Sequence, residues 1–172
     1  MDKGIRAFRE PQLPNRAPVR LADVVGDAAG DAAGPVDLEI GCGVGFHPIR
    51  YALAHPERRL VAIEHTHEKF MKFARRVENH RAGGESLTNL FPLHANAIGW
   101  VSRLEDRECF ERIFLLYPNP HPKAKQANRR WFRMPFMARL LETLKREARS
   151  GSRRISNFTP TRPLISACAS GG

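Results

Sequence analysis

Val36-Asp37-Leu38-Glu39-Ile40-Gly41-Cys42-Gly43-Val44-Gly45 is a short apolar strand that runs straight into three glycines at alternate positions. Behind them Pro48 suits the first turn of a helix, Ile49, Ala52 and Leu53 give that helix an apolar face, and Pro56 stops it. Strand, glycine turn and helix in that order make a nucleotide-binding turn. Glycine adopts positive φ without a Cβ penalty, and bare backbone beside a helix N-terminus lets a polar ligand approach closely. The spacing is Gly-x-Gly-x-Gly after an acidic residue, not the Gly-x-Gly-x-x-Gly of dinucleotide sites.

Downstream, Leu60-Val61-Ala62-Ile63 is a continuous apolar run of strand length, the pattern of a parallel strand covered on both faces. It ends in Glu64, about 20 positions past the glycines, where nucleotide-binding α/β folds place a carboxylate that accepts both ribose hydroxyls. His65 to His80 reads as a helix with Phe70, Phe73, Ala74 and Val77 on its buried face. Gly83-Gly84 ends it. Asn89 to His94 reads as a third strand weakened by Pro92, Ile98 to Leu104 as a short helix with Trp100 packed, and Arg112 to Tyr117 as a fourth strand. The expectation is an α/β fold: a doubly wound, mostly parallel sheet with helices on both faces and ligands at the strand carboxyl ends.

The 172 residues suffice for one core, expected over residues 36–158. Residues 1–35, with Pro11, Pro14 and Pro18 and a small-residue stretch from Asp27 to Pro35, read as a mobile arm and linker, and 159–172 as an irregular tail. A hydrophobic fraction of 42% with 27% charged residues is that of a soluble protein, and no apolar run approaches the roughly 20 residues that cross a bilayer. Charges and prolines in the first 20 residues leave no signal-peptide core, so a cytoplasmic location and no membrane partner are expected. Cys42, Cys109 and Cys168 are too few and scattered for a disulfide framework or a metal cluster. The net charge of +10 is concentrated: residues 123 to 154 hold 11 Lys and Arg against Glu142 and Glu147, a balance of +9. That run follows a proline-rich loop at a strand end, which points to a phosphate-backbone site.

Glu39-x-Gly41-x-Gly43-x-Gly45 resembles motif I of class I S-adenosylmethionine-dependent methyltransferases. The stretch Tyr117-Pro118-Asn119-Pro120-His121-Pro122-Lys123-Ala124-Lys125-Gln126-Ala127-Asn128-Arg129-Arg130 is similar to the loop of bacterial tRNA (guanine-N7)-methyltransferases, with Pro118, Pro120, Pro122, Lys123, Arg129 and Arg130 matching. The resemblance covers about Leu38 to Lys145 and includes an aromatic and apolar helix over Trp131 to Leu144. It implies S-adenosyl-L-methionine as cofactor, held by Glu39, Gly41, Gly43, Gly45, Glu64, His65, Asn96 and Ala97, with adenine beside Ala95-Asn96-Ala97. It also implies tRNA as partner, held by Asn119, Lys123, Lys125, Arg129 and Arg130, methyl transfer to guanine N7 with Asn119 at the catalytic position, and a monomer or weak homodimer.

The departures are specific. The family's Asp is Asn119 here, its Trp is His121, its His is Gln126 and its final Lys is Asn128. An amide at 119 lacks the charge that favours a cationic product. After Lys145 the family continues with Pro-Gly-Gly and further strands, whereas this chain has a possible strand at Ile155 to Phe158 and then loses all periodicity, the pattern of a shortened or frameshifted end and an incomplete sheet. Two other readings stay open: an amino-methyltransferase using Asn119-Pro120, and an RNA-binding methyltransferase-like protein without turnover.

Overall fold

The computed structural model describes residues 17–26, 34–116 and 134–145. Its elements in chain order are α1 (Ala22–Val25), β1 (Val36–Ile40), α2 (Phe46–Ala54), β2 (Arg59–Glu64), α3 (His67–Ala82), β3 (Leu90–His94), α4 (Ala97–Arg103), β4 (Arg112–Leu115) and α5 (Phe136–Glu142). The four strands are parallel in the order β3-β2-β1-β4. Such an order needs a covering segment between every pair of neighbours, and the helices supply it. α1, α4 and α5 pack on one face around Leu38, Ile63, Val101 and Ile113. α2 and α3 pack on the other around Leu60, Ala62, Phe73 and Phe114. The doubly wound architecture is therefore as the sequence suggests, with four strands among the described residues.

Because successive strand residues face opposite ways, Val36, Leu38 and Ile40 of β1 join the first core while Asp37 and Glu39 point at α2. Both acids are buried, so each needs a polar partner. α2 runs back along β1 and meets them in step. Two residues of strand advance about 6.6 Å and four of helix about 6 Å, so Tyr51 reaches Asp37 with its hydroxyl at 2.7 Å while His47, one turn earlier, reaches Glu39 at 2.8 Å. Asp37 also receives a two-pronged contact from Arg58, 2.6 Å from Nε and 2.6 Å from Nη2. Arg58 extends to Glu111 at 3.2 Å, and Arg112 donates to the Tyr51 hydroxyl at 2.8 Å. The hydrogen bond to Asp37 is the main reason the Arg58 guanidinium is held more firmly protonated than usual.

Two differences from the sequence reading have clear causes. Part of the expected arm is docked: Val19 pairs with Leu104 through bonds of 3.0 and 2.9 Å, Leu21 is buried, and its N–H donates to Asp106 at 2.6 Å. Two anchoring side chains and a four-residue helix are too short to leave a periodicity. The last helix is shorter than Trp131 to Leu144; it runs over Phe136–Glu142, and residues 131–133 lie outside the described residues. Pro92 sits inside β3, tolerated because β3 is an edge strand of the described sheet. After α5, Leu144 forms a parallel bridge with Phe110, and Lys145 donates to the Phe110 carbonyl at 2.9 Å. The Ile155 to Phe158 stretch and the tail lie outside the described residues.

Candidate functional site

The glycine turn leaves β1 and is tied at once to the neighbouring strand, because the N–H groups of Gly41 and Cys42 both donate to the Ile63 carbonyl, at 2.8 and 3.2 Å. Gly43 and Gly45 have φ of 63° and 85°, in the left-handed region. Their surroundings differ. A Cβ on Gly45 would fall inside the contact distance of three Phe73 ring carbons, so this glycine exists for packing between α2 and α3. A Cβ on Gly43, or on Gly41, would meet nothing within 4 Å. Bare backbone there opens onto space at the sheet's carboxyl edge.

Glu64, the last residue of β2, completes that edge. Its carboxylate is almost wholly buried, yet each oxygen accepts one backbone N–H: Oε2 from Gly43 at 2.9 Å and Oε1 from Thr66 at 2.7 Å. A carboxylate has about four acceptor positions, so the two backbone bonds do not exhaust it; the Thr66 side chain also bonds it, and His65 Nδ1 stands 3.5 Å from Oε1. Burial alone would raise this carboxyl, but the bonds from Thr66 and Gly43 and the nearby His65 outweigh it and hold it below the ordinary glutamate value. A depressed carboxyl stabilises the fold above its unfolded value and loses that contribution as pH falls through the folded value. We expect Glu64→Gln, which can accept at only one atom, to flatten the acid side of the stability profile, as read from denaturation midpoints from neutral pH downward. An acid limb as steep as the wild type's would contradict the assignment.

Glu39 is set differently. Burial dominates and raises its carboxyl despite the His47 contact at 2.8 Å. His47 was missed in the sequence reading; nothing in the local pattern singles it out as the partner of an acid eight positions upstream. Asn96 caps α4, its Oδ1 accepting from Gly99 at 3.1 Å, so its side-chain oxygen is engaged and its amide NH₂ is the group left to address a ligand. Ala97 is buried at the first position of α4, whereas the His65 side chain is 73% exposed. His94 stacks on Phe70 at 4.9 Å, and its Nε2 lies 3.2 Å from the His65 carbonyl. Cys42 keeps its proton, its thiol pushed up first by burial and then by the charges of Glu39 and Glu64, so it offers no nucleophile. Burial likewise pushes Cys109 up to about 12.

Thus the structure gathers Glu39, Gly41, Gly43, Gly45 and Glu64 in one turn, with Asn96 and Ala97 at the head of α4. A cleft of about 620 Å³ starts at Glu39, Gly41 and Leu116 and follows α2 past Phe46, Arg50 and Tyr51. Asn119, Lys123, Lys125, Arg129 and Arg130 lie outside the described residues. Among the described residues no group of His, Cys, Asp or Glu could hold a metal ion, and no helix is long and apolar enough to cross a membrane.

Residues 33–149 match the model of a family described as "Putative methyltransferase". The chain belongs to this methyltransferase family. Among curated proteins it is similar to the tRNA (guanine-N(7)-)-methyltransferase of Nitrosomonas eutropha, 32% identical over 64% of this chain and 47% of that one. The protein of the same name from Rhodospirillum rubrum is 32% identical over 81% of this chain and 57% of its own; that from Myxococcus xanthus is 36% identical over 55% and 44%. The chain spans about half the length of the curated relatives it matches. A solved structure titled "Structure of an Antibiotic Related Methyltransferase" superposes with a TM-score of 0.50 over 83% of this chain and 63% of that one, at 14% identity, a likeness of fold. The motif I resemblance of Glu39 to Gly45 and the parallel sheet thus find their place in one methyltransferase framework.

Proposed function

We propose that this methyltransferase binds S-adenosyl-L-methionine at the glycine turn and directs methyl transfer to N7 of a guanine in tRNA, in the cytoplasm, as a monomer or weak homodimer. The observation that carries the cofactor reading is the Glu64 carboxylate, pinned between the N–H groups of Gly43 and Thr66 at the sheet's carboxyl edge, beside the open backbone of the glycine turn. Two adjacent ribose hydroxyls supply two donors. Gly41 and Gly43 leave backbone uncovered by side chains, and the Asn96 oxygen is taken by its cap on Gly99, so in this reading its amide NH₂ donates to adenine.

The cofactor would supply an electrophilic methyl group on a sulfonium. Guanine N7 offers a lone pair and carries no proton, so no residue has to act as general base. Transfer would join the methyl to N7 as its bond to sulfur breaks, leaving the bonding pair on sulfur and the positive charge on the guanine. The protein's task is alignment and exclusion of water. In this reading Asn119 faces the target base, and Lys123, Lys125, Arg129 and Arg130 grip RNA phosphates. The guanine reading rests on the loop's resemblance and on the names of the relatives.

Titration calorimetry with S-adenosyl-L-methionine and incorporation of labelled methyl into an unmodified tRNA transcript test the two halves. Glu64→Ala removes two ribose hydrogen bonds, about 1–3 kcal/mol, or roughly five- to 150-fold in affinity. Unchanged affinity in that variant would remove the ribose assignment. Cofactor binding without incorporation into tRNA would leave an RNA-binding protein without turnover, and label on an exocyclic amine would move the reading to amino methylation.

A further inference from the structure

Phe46 opens α2 with 64% of its surface exposed, the most open large apolar side chain among the described residues. The Arg76 guanidinium, from α3, lies over one face of its ring at 3.8 Å from the centroid. At that exposure the opposite face is open. Arg76 ends a stripe on α3 in which Lys69 and Lys72 precede it at i and i+3, and Arg50 stands one turn after Phe46 on α2. Of these four cations Lys72 pairs with Glu68 at 2.8 Å and Lys69 lies within the influence of the same carboxylate, while Arg50 and Arg76 show no carboxylate partner among the described residues. Phe46 and Arg50 also line the cleft that begins at Gly41 and at Leu116, the last described residue before the basic loop.

An open aromatic ring backed by Arg76, with Arg50 in the same cleft and Lys69 and Lys72 further along α3, suits one class of ligand. A peptide would need an apolar groove with several anchors, and a bilayer surface would need a contiguous apolar patch. An unpaired nucleotide needs one π-face for its base and cations for the phosphates on either side. The Arg76 guanidinium holds the Phe46 ring from behind and fixes the face it presents. We propose that Phe46 and Arg76 form a stacking platform for an unpaired nucleotide of the RNA substrate, with Lys69 and Arg50 on the flanking phosphates. This rests on the tRNA reading above and adds a contact on α2 and α3, apart from the 117–133 stretch.

The test uses fluorescence anisotropy with an unmodified tRNA transcript across a salt series, on the full chain. Phe46→Ala should weaken binding about tenfold while leaving the log–log salt slope unchanged, because no charge is lost; Phe46→Trp should keep wild-type affinity. Arg76→Gln should weaken binding and make the slope shallower by roughly 0.7. Ultraviolet cross-linking should place a nucleotide on the tryptic peptide from Leu21 to Arg50, which contains Phe46. Cofactor affinity near wild type in each variant separates a lost contact from a lost fold. If the wild type binds the transcript but Phe46→Ala stays within twofold of it, the platform is overturned and the guanine reading stands. No transcript binding by the wild type overturns both, and binding to anionic phosphatidylserine vesicles in place of the transcript overturns the platform.

Discussion

Gly45→Ala should lower the free energy of unfolding by about 3 kcal/mol or more, a loss of roughly 6–12 °C in melting temperature for a domain of this size. Two costs add. The residue sits at φ 85°, where an L side chain loses roughly 1–2 kcal/mol to clash with its own backbone. The new methyl would also intrude on Phe73, which is fully buried at the junction of α2 and α3, and close-packed interiors leave a displaced ring little room. The second cost can be isolated. In a Phe73→Ala background the ring is gone, and adding Gly45→Ala should then cost only the backbone part. Gly43→Ala is the internal comparison: its φ is 63° but its Cβ meets nothing, so it should destabilise by roughly 1–2 kcal/mol. Equal losses for Gly43→Ala and Gly45→Ala in urea denaturation would show that the Phe73 contact does not set the requirement.

Arg58→Ala should be as severe, about 3–5 kcal/mol, because it strands a buried carboxylate. Asp37 has no solvent exposure and would keep only the Tyr51 hydroxyl. Arg58→Lys restores the charge but not the two-pronged geometry, and should fall between the two. The charge can instead be removed from the other side. Asp37→Asn combined with Arg58→Met leaves no ion behind and should recover much of the loss. If Arg58→Ala costs less than about 1 kcal/mol, the pair contributes no more than a surface ion pair would.

Much of this was legible in the chain because it is periodic or local. The β1 run, the alternating glycines, Pro48 and Pro56 around α2, and the Phe73 and Val77 stripe of α3 each signal over a few adjacent residues. Glu64 was legible from its distance to the glycines alone. The pairs that hold β1 were not. Asp37 and Glu39 sit inside an apolar strand and take partners 21 and eight residues away, and nothing in the strand's pattern says which polar side chain will answer a buried acid. The same holds for Asn89, whose side-chain nitrogen reaches the carbonyls of Ala52, His55 and Arg58 and so ties the end of α2 to the start of β2. The α1 region was misjudged for a related reason. Val19 bridges Leu104 through the backbone and the Leu21 N–H donates to the Asp106 carboxylate, both more than 80 positions away, which no local pattern records.

The fastening on either side of residues 117–133 bears on how freely that stretch can change. Leu115 ends β4 inside the core, while α5 is buried through Phe136, Met137 and Leu140, with Arg139 donating to the Leu104 carbonyl and Leu144 bridged to Phe110. Both exits are therefore set by contacts made elsewhere in the domain. Closing a segment between two fixed points costs conformational entropy that grows only with the logarithm of its length, about 0.6 kcal/mol for each doubling. A change in the number of residues between these two exits therefore alters the closure term only slightly. The integrity of the parallel sheet is thus secured by contacts that lie wholly outside residues 117–133.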